Sequence, residues 1–167
     1  MKFFTHGLIF IDEPKSETEE KEQLALFRAA EKKRAVEFNK AKRSMSLKSL
    51  EIYQNNEHFH DYSIKEIVIN KNTKSRVTPL TEIIIILDGK QSIALRYTSV
   101  TLFEIASRCD DTHAIMVSKW EGKFDDYLYD EFFDLGDSTY SHEILMLTGS
   151  TVKIYYKRLI IGKQKNA

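Results

Sequence analysis

Apolar residues recur at two different periods along this chain, and the period changes near His58-Phe59-His60-Asp61. Before that seam, Leu24, Phe27, Ala30, Phe38, Ala41 and Met45 form a broken stripe near helical spacing, interrupted by Glu31 and Arg34. Ser16 and Glu19 make an S-x-x-E capping box after Pro14, in which each side chain satisfies a free backbone N–H. Glutamates crowd the first turns and Lys40, Lys42 and Arg43 the far end, which suits the helix dipole. These signals predict a helix over residues 16–44, with a shorter, ambiguous segment from Leu47 to Tyr53. The thin stripe predicts a helix that lies on a sheet rather than one that forms a core alone.

After the seam the pattern is that of strands. Ser63 to Ile69, Thr81 to Leu87, Ser92 to Tyr97, Val100 to Ile105 and His113 to Trp120 are short β-rich runs. Four consecutive isoleucines in the second run predict a strand buried on both faces, and Asp88-Gly89 is a hairpin signal. Asn70 to Pro79 reads as a polar loop. No helical crossover separates the runs, so the sheet is expected to be mainly antiparallel. The expected fold is therefore a single α+β domain over residues 1–167. A helical part at about 16–54 packs on a β part at about 62–161, with about seven strands estimated from turn spacing.

The last three strands, Asp126 to Asp134, Thr139 to Thr148 and Thr151 to Ile161, read as a meander. A turn centred on Gly136-Asp137 would pair Phe133 with Tyr140, Glu131 with His142, Tyr129 with Ile144 and Tyr127 with Met146. A slip of one residue would break every pair. In this register Tyr127, Tyr129 and Phe133 share a face with Glu131, while Asp126, Asp130 and Asp134 point the other way. A carboxylate on a face that packs inward needs a partner, and His142 is expected to supply it, as a structural ion pair or an acid/base pair. For the second turn, a three-residue loop at Thr148-Gly149-Ser150 would set Ile144 opposite Ile154 and His142 opposite Tyr156. A two-residue loop would instead bring Lys157 to His142.

Charge sharpens this picture. The chain carries 25 basic and 25 acidic residues, and a zero net charge argues against a dedicated nucleic-acid binder. The charges are nevertheless segregated: seven bases and one acid lie between Lys32 and Lys48, and eight acids and one base between Glu121 and Glu143. One explanation is internal complementarity between a basic helix and an acidic strand pair. The sharper one is a recognition surface made by Asp126, Asp130 and Asp134 that steers a basic protein partner. The lone Cys109 forms no internal disulfide. The longest apolar run, Ile83 to Leu87, is far short of a membrane span, and the N-terminus lacks a secretory pattern, so a cytoplasmic protein is expected.

Candidate chemistry is confined to the seam and the meander. His58, His60 and Asp61 resemble an H-x-H metal cluster superficially, and Glu131, His142 or His113 would have to complete it through folding. The H-D dipeptide also resembles that of the HD phosphohydrolases, but it precedes a strand here and their further motifs are absent. No phosphate-binding loop, nucleophile elbow or H-E-x-x-H motif occurs. No cofactor is implied. Asp61 is expected to accept turn N–H groups ahead of the first strand.

Several of these features together resemble a known family. They are Met1-Lys2-Phe3-Phe4-Thr5, the charged helix, His60-Asp61 before the first strand, and an aromatic and acidic strand followed by Tyr140-Ser141-His142-Glu143-Ile144-Leu145. The layout resembles small uncharacterised bacterial proteins whose members carry a Leu-His-Asp-Ser-like motif entering an antiparallel sheet. Here Phe59 precedes His60, and Tyr62 stands where serine is common. Some similar proteins look like immunity proteins, which implies a protein-binding role and assigns no catalytic residue. The expected function is thus a non-enzymatic binding module, immunity-like, using the acidic strand face. The alternative is a small metal-dependent or hydrolytic enzyme using His60, Asp61, Glu131 and His142.

Overall fold

Ser16 starts the long helix: its hydroxyl accepts the Glu19 amide at 3.3 Å. In the computed structural model, which describes residues 1–9, 16–72, 80–106 and 125–164, three helices precede eight strands. A short helix α1 (His6–Ile9) is followed by α2 (Glu17–Ala41), a 3-10 turn (Lys42–Ser44) and α3 (Leu47–Asn55). Ser46 caps α3 by accepting the Ser49 amide at 3.2 Å. Within α2 only Ala30 and Ala41 are buried, so the helix rests on the sheet along a narrow line. No helix among the described residues is long and apolar enough to cross a membrane.

The strands are β1 (Ser63–Asn72), β2 (Leu80–Asp88), β3 (Ile93–Val100), β4 (Leu102–Ala106), β5 (Asp125–Gly136), β6 (Thr139–Met146), β7 (Thr151–Tyr156) and β8 (Arg158–Lys163). All their pairings are antiparallel, in the order β4-β7-β6-β5-β1-β2-β3-β8. The single expected strand from Thr151 to Ile161 is thus two strands that meet at Lys157. Only Thr101 separates β3 from β4. Across these bends Thr101 N–H donates to Tyr155 at 2.9 Å and Lys157 N–H to Thr98 at 3.1 Å. β4 thus continues β3 and pairs with β7, while β8 continues β7 and pairs with β3, so the sheet curls until its two ends meet. The strand expected at His113 to Trp120, Cys109 and most of the Asn70 to Pro79 loop lie outside the described residues.

Curling gives the sheet an inside. Ile83 faces Tyr97 and Tyr97 faces Leu159, while Ile85 faces Leu95 and Leu95 faces Ile161, all of them buried. This is period-2 alternation turned into stacked apolar layers. The curl is incomplete between β5 and β1, which pair only at Ser63–Asp126 and Ile64–Asp125. Along the rest of β5 it is α2 that lies alongside, and Arg34 Nε donates to the main-chain oxygen of Asp130 at 2.7 Å. One apolar cluster joins Ala41, Tyr53 and Phe59 of the helical part to Tyr127, Phe132 and Ile144 of the sheet.

The register of the meander differs from the expected one. The β5–β6 turn is centred on Asp137 and Ser138, both at positive φ (49° and 56°), and Gly136 pairs with Thr139. Pairing then runs Phe133 with Ser141, Phe132 with His142, Glu131 with Glu143 and Tyr129 with Leu145. An irregularity between Tyr127 and Tyr129 restores the one expected pair, Tyr127 with Met146. At the second turn, His142 faces Ile154 and Ile144 faces Val152, so neither expected register applies; Met146 N–H donates to the Ser150 carbonyl across Leu147, Thr148 and Gly149.

Candidate functional site

The one-residue slip moves Glu131 and His142 to opposite sides of the sheet, so the expected pair does not form. The inward side of β5 instead presents Asp130, which is 0% exposed. Burial of a lone carboxylate is costly, and Asp130 meets that cost with a full set of donors. Tyr53 Oη lies 2.7 and 2.8 Å from its two oxygens, and Tyr127 Oη donates to Oδ2 at 2.6 Å. His142 Nε2 stands 3.2 Å from the same Oδ2. Arg34 pairs with Oδ1, and its Nη2 also donates to Tyr53 Oη at 2.9 Å. Four elements, α2, α3, β5 and β6, therefore converge on one carboxylate.

The proton on His142 follows from its neighbours. Nε2 faces an ionised carboxylate and so carries hydrogen, which leaves Nδ1 to accept from Tyr97 Oη at 2.6 Å. Phe132 stacks on the ring at 3.8 Å between centroids. Burial pushes the imidazole pKa down and outweighs the pull of Asp130, so the ring is neutral. Burial pushes the Asp130 carboxyl up, but Arg34 and the bonds from His142 and Tyr127 outweigh it and hold it well below the usual range. Tyr53, Tyr97 and Tyr127 are all raised, first by burial, and remain protonated donors.

The outward side of the same strands is also occupied. Glu131, 1% exposed, accepts the backbone N–H groups of Lys2, Phe3 and Phe4 at 2.5, 2.7 and 2.5 Å. Its cross-strand neighbour Glu143 pairs with Lys153 at 3.1 Å and with the Met1 ammonium. Phe4 is sealed between Phe27 and Tyr129. Two acids side by side on adjacent strands would repel, and here donors from the first residues of the chain and Lys153 compensate them.

The expected acidic face is corrected by the same facts. Asp130 lies inside the protein, and Asp134 pairs with Arg43 at 2.8 Å. Asp126 is exposed and accepts from Ser63 Oγ at 2.5 Å. The irregularity near Leu128 reverses side-chain parity along β5, so the three aspartates do not form one row. The segregated charges of helix and strand meet each other instead, through Arg34–Asp130 and Arg43–Asp134.

The seam is a strained connection. Glu57, His58 and Phe59 have φ of 53°, 58° and 64°, and Asp61 has 66°. Four non-glycine residues in the left-handed region cost roughly 1–2 kcal/mol each. Phe59 anchors the turn by inserting, fully buried, among Tyr53, Tyr62 and Tyr127. Asn56 ties it down through Tyr62 Oη at 2.7 Å and Gln91 Nε2 at 2.9 Å. Tyr62 in turn presses on Gly89, where a Cβ would come within 2.7 Å of its ring. His58 packs against Tyr53 and His60 edge-on against Tyr129. Asp61, expected to bind turn amides, instead faces His60 Nδ1 at 2.9 Å with its side chain 85% exposed. His60 and Asp61 thus sit on the surface, apart from the His142 ring inside. Among the described residues no group of three or more His, Cys, Asp or Glu could hold a metal ion.

Sequence reasoning missed Arg34, Tyr53 and Tyr97 as members of the cluster. Arg34 carried a signal, since it interrupts the apolar stripe on the side of α2 that meets the sheet. The fold is thus a helix-covered, curled antiparallel sheet with a polar cluster at its centre. No protein-family model matches this chain, and no curated protein or solved structure matches it either.

Proposed function

We propose that the chain is a non-enzymatic protein-binding module working in the cytoplasm. The observation that carries this reading is the set of aliphatic side chains that α2 leaves exposed. This helix seats Phe27, Ala30, Arg34, Phe38 and Ala41 against the domain and leaves Leu24, Leu26 and Val36 exposed on its other sides. A helix that keeps three aliphatic side chains in water suits recognition of a partner groove or helix. The Asp130 cluster supports the same reading, because its donors and acceptors are matched to one another and hold α2 and α3 on the sheet. An immunity-type role is a narrower form of this proposal and rests only on the resemblance carried by His60-Asp61 and Tyr140 to Leu145.

The test uses the full chain as bait beside a Leu26→Glu/Val36→Glu variant with an unchanged circular dichroism spectrum. Proteins retained by the wild type and lost by the variant support the reading. Identical sets from both would overturn it.

A further inference from the structure

The acids of the meander are largely consumed within the protein. Asp130 and Asp134 pair with Arg34 and Arg43, Glu131 takes three amides, and Glu143 takes Lys153 and the Met1 ammonium. The basic residues fare differently. Lys42, Lys48, Lys157 and Arg158 are exposed, and none has an acidic partner among the described residues. Lys42 Nζ donates to the Asn39 amide oxygen, at 2.9 Å.

These four cations come from two distant stretches that the fold joins. Met45 forms a parallel bridge with Leu159, which lays residues 42–48 beside residues 157–160. Ser44 Oγ and Tyr156 Oη are 3.2 Å apart, and Ile161 N–H donates to Ser49 Oγ at 3.0 Å, so the junction is fixed on both sides. Each of the two stretches also exposes an aliphatic side chain. Leu47, the first residue of α3, is 86% exposed, and Ile160 projects outward from β8 next to Arg158.

We propose that this surface binds an acidic protein segment carrying an apolar anchor. The proposal rests on the reading of the chain as a protein-binding module and names the chemistry of a partner. Four exposed cations with no acidic partner among the described residues, and two exposed aliphatic side chains, on stretches that the fold lays side by side, match a segment of acidic residues with an aliphatic or aromatic one among them. A nucleic acid fits less well: neither stretch contains an aromatic residue on which a base could stack, and the net charge of the chain is zero. The sign of the partner is thus opposite to the one an acidic strand face would select.

The probe is a labelled peptide of alternating Glu and Asp interrupted by two leucines, titrated with the full chain and followed by fluorescence anisotropy. A single-stranded oligonucleotide of equal charge and phosphatidylserine vesicles are run beside it. The wild type is expected to bind the peptide, more weakly as salt rises. Lys48→Glu/Arg158→Glu should weaken binding about tenfold or more. Leu47→Ser/Ile160→Ser should weaken it several-fold, by roughly the affinity that burying an aliphatic side chain supplies. Both variants are checked for unchanged thermal midpoints. Leu26→Glu/Val36→Glu on α2 should leave peptide binding intact, so a failed helix test and a failed peptide test are told apart. No binding of the peptide, equal binding by all variants, or tighter binding of the oligonucleotide or vesicles would overturn the proposal.

Discussion

Tyr97 Oη and His142 Nδ1 lie 2.6 Å apart inside the curled sheet, joining β3 to β6 across the core. With the imidazole neutral, the tyrosine donates and the ring accepts. A second proton on His142 would turn that acceptor into a donor and place a positive charge in an apolar layer between Phe132 and Ile154.

Acid should therefore destabilise the fold in two stages. The folded pKa of His142 lies below its ordinary value of about 6.5, so the unfolded chain binds more protons over that interval and stability falls as pH drops below ~6.5. His58, shifted down chiefly by burial, acts with the same sign. Asp130 is depressed as well, so its contribution is present above about pH 4 and is lost as pH falls further toward its folded pKa. Urea denaturation at a series of pH values should show stability rising with pH through the histidine window. His142→Gln should flatten that rise in part, and the His58→Gln/His142→Gln double variant further. A rise of unchanged steepness in the double variant would contradict this assignment.

Removal of Glu131 should release the first residues of the chain. Its carboxylate organises three consecutive amides, and hydrogen bonds to charged groups contribute ~1.5–3 kcal/mol each at most. Glu131→Ala is expected to cost about 2–4 kcal/mol in total, since the bonds share one acceptor and the freed amides can reach water. Hydrogen exchange should accelerate at Phe3 and Phe4 before it accelerates in the core strands. Protection of these amides equal to that in the wild type would show that Glu131 does not hold them.

The left-handed turn at the seam makes an opposite kind of prediction. Asp61 has φ of 66° and an exposed side chain, so glycine removes strain there at little loss of contact. Asp61→Gly is expected to leave stability unchanged or raise it by up to about 1 kcal/mol. Gly89→Ala should destabilise by about 1–3 kcal/mol, because its Cβ would collide with the Tyr62 ring. Thermal midpoints of the two variants should move apart. A clear loss on Asp61→Gly would mean that the His60–Asp61 pair outweighs the backbone strain.

The helix from its Ser16 cap, the isoleucine strand and the antiparallel sheet were legible because each depends on local spacing. The Glu131–His142 relation was not, because parity in a strand hinges on single residues. The turn is centred on Asp137 and Ser138 rather than on Gly136 and Asp137, and every side chain between Tyr129 and Phe133 changed its partner. The closure of the sheet was hidden for a related reason: one expected strand, Thr151 to Ile161, bends at Lys157 and serves as two. The role of Arg34 was obscured by its looking like a defect in an apolar stripe. A charge on the packing side of a helix predicts a buried partner of opposite sign, and Asp130 was that partner.

Arg34 neutralises the acidic strand from within. A double-mutant cycle between Arg34 and Asp130 measures this directly. Arg34→Met and Asp130→Leu should each destabilise strongly, with the loss of one buried partner costing about 3–5 kcal/mol. The double variant should cost much less than the sum, giving a coupling of about 2 kcal/mol or more by urea denaturation. A coupling near zero, with Asp130→Leu tolerated as a surface change would be, would contradict the internal pairing and return Asp130 to an exposed acidic face.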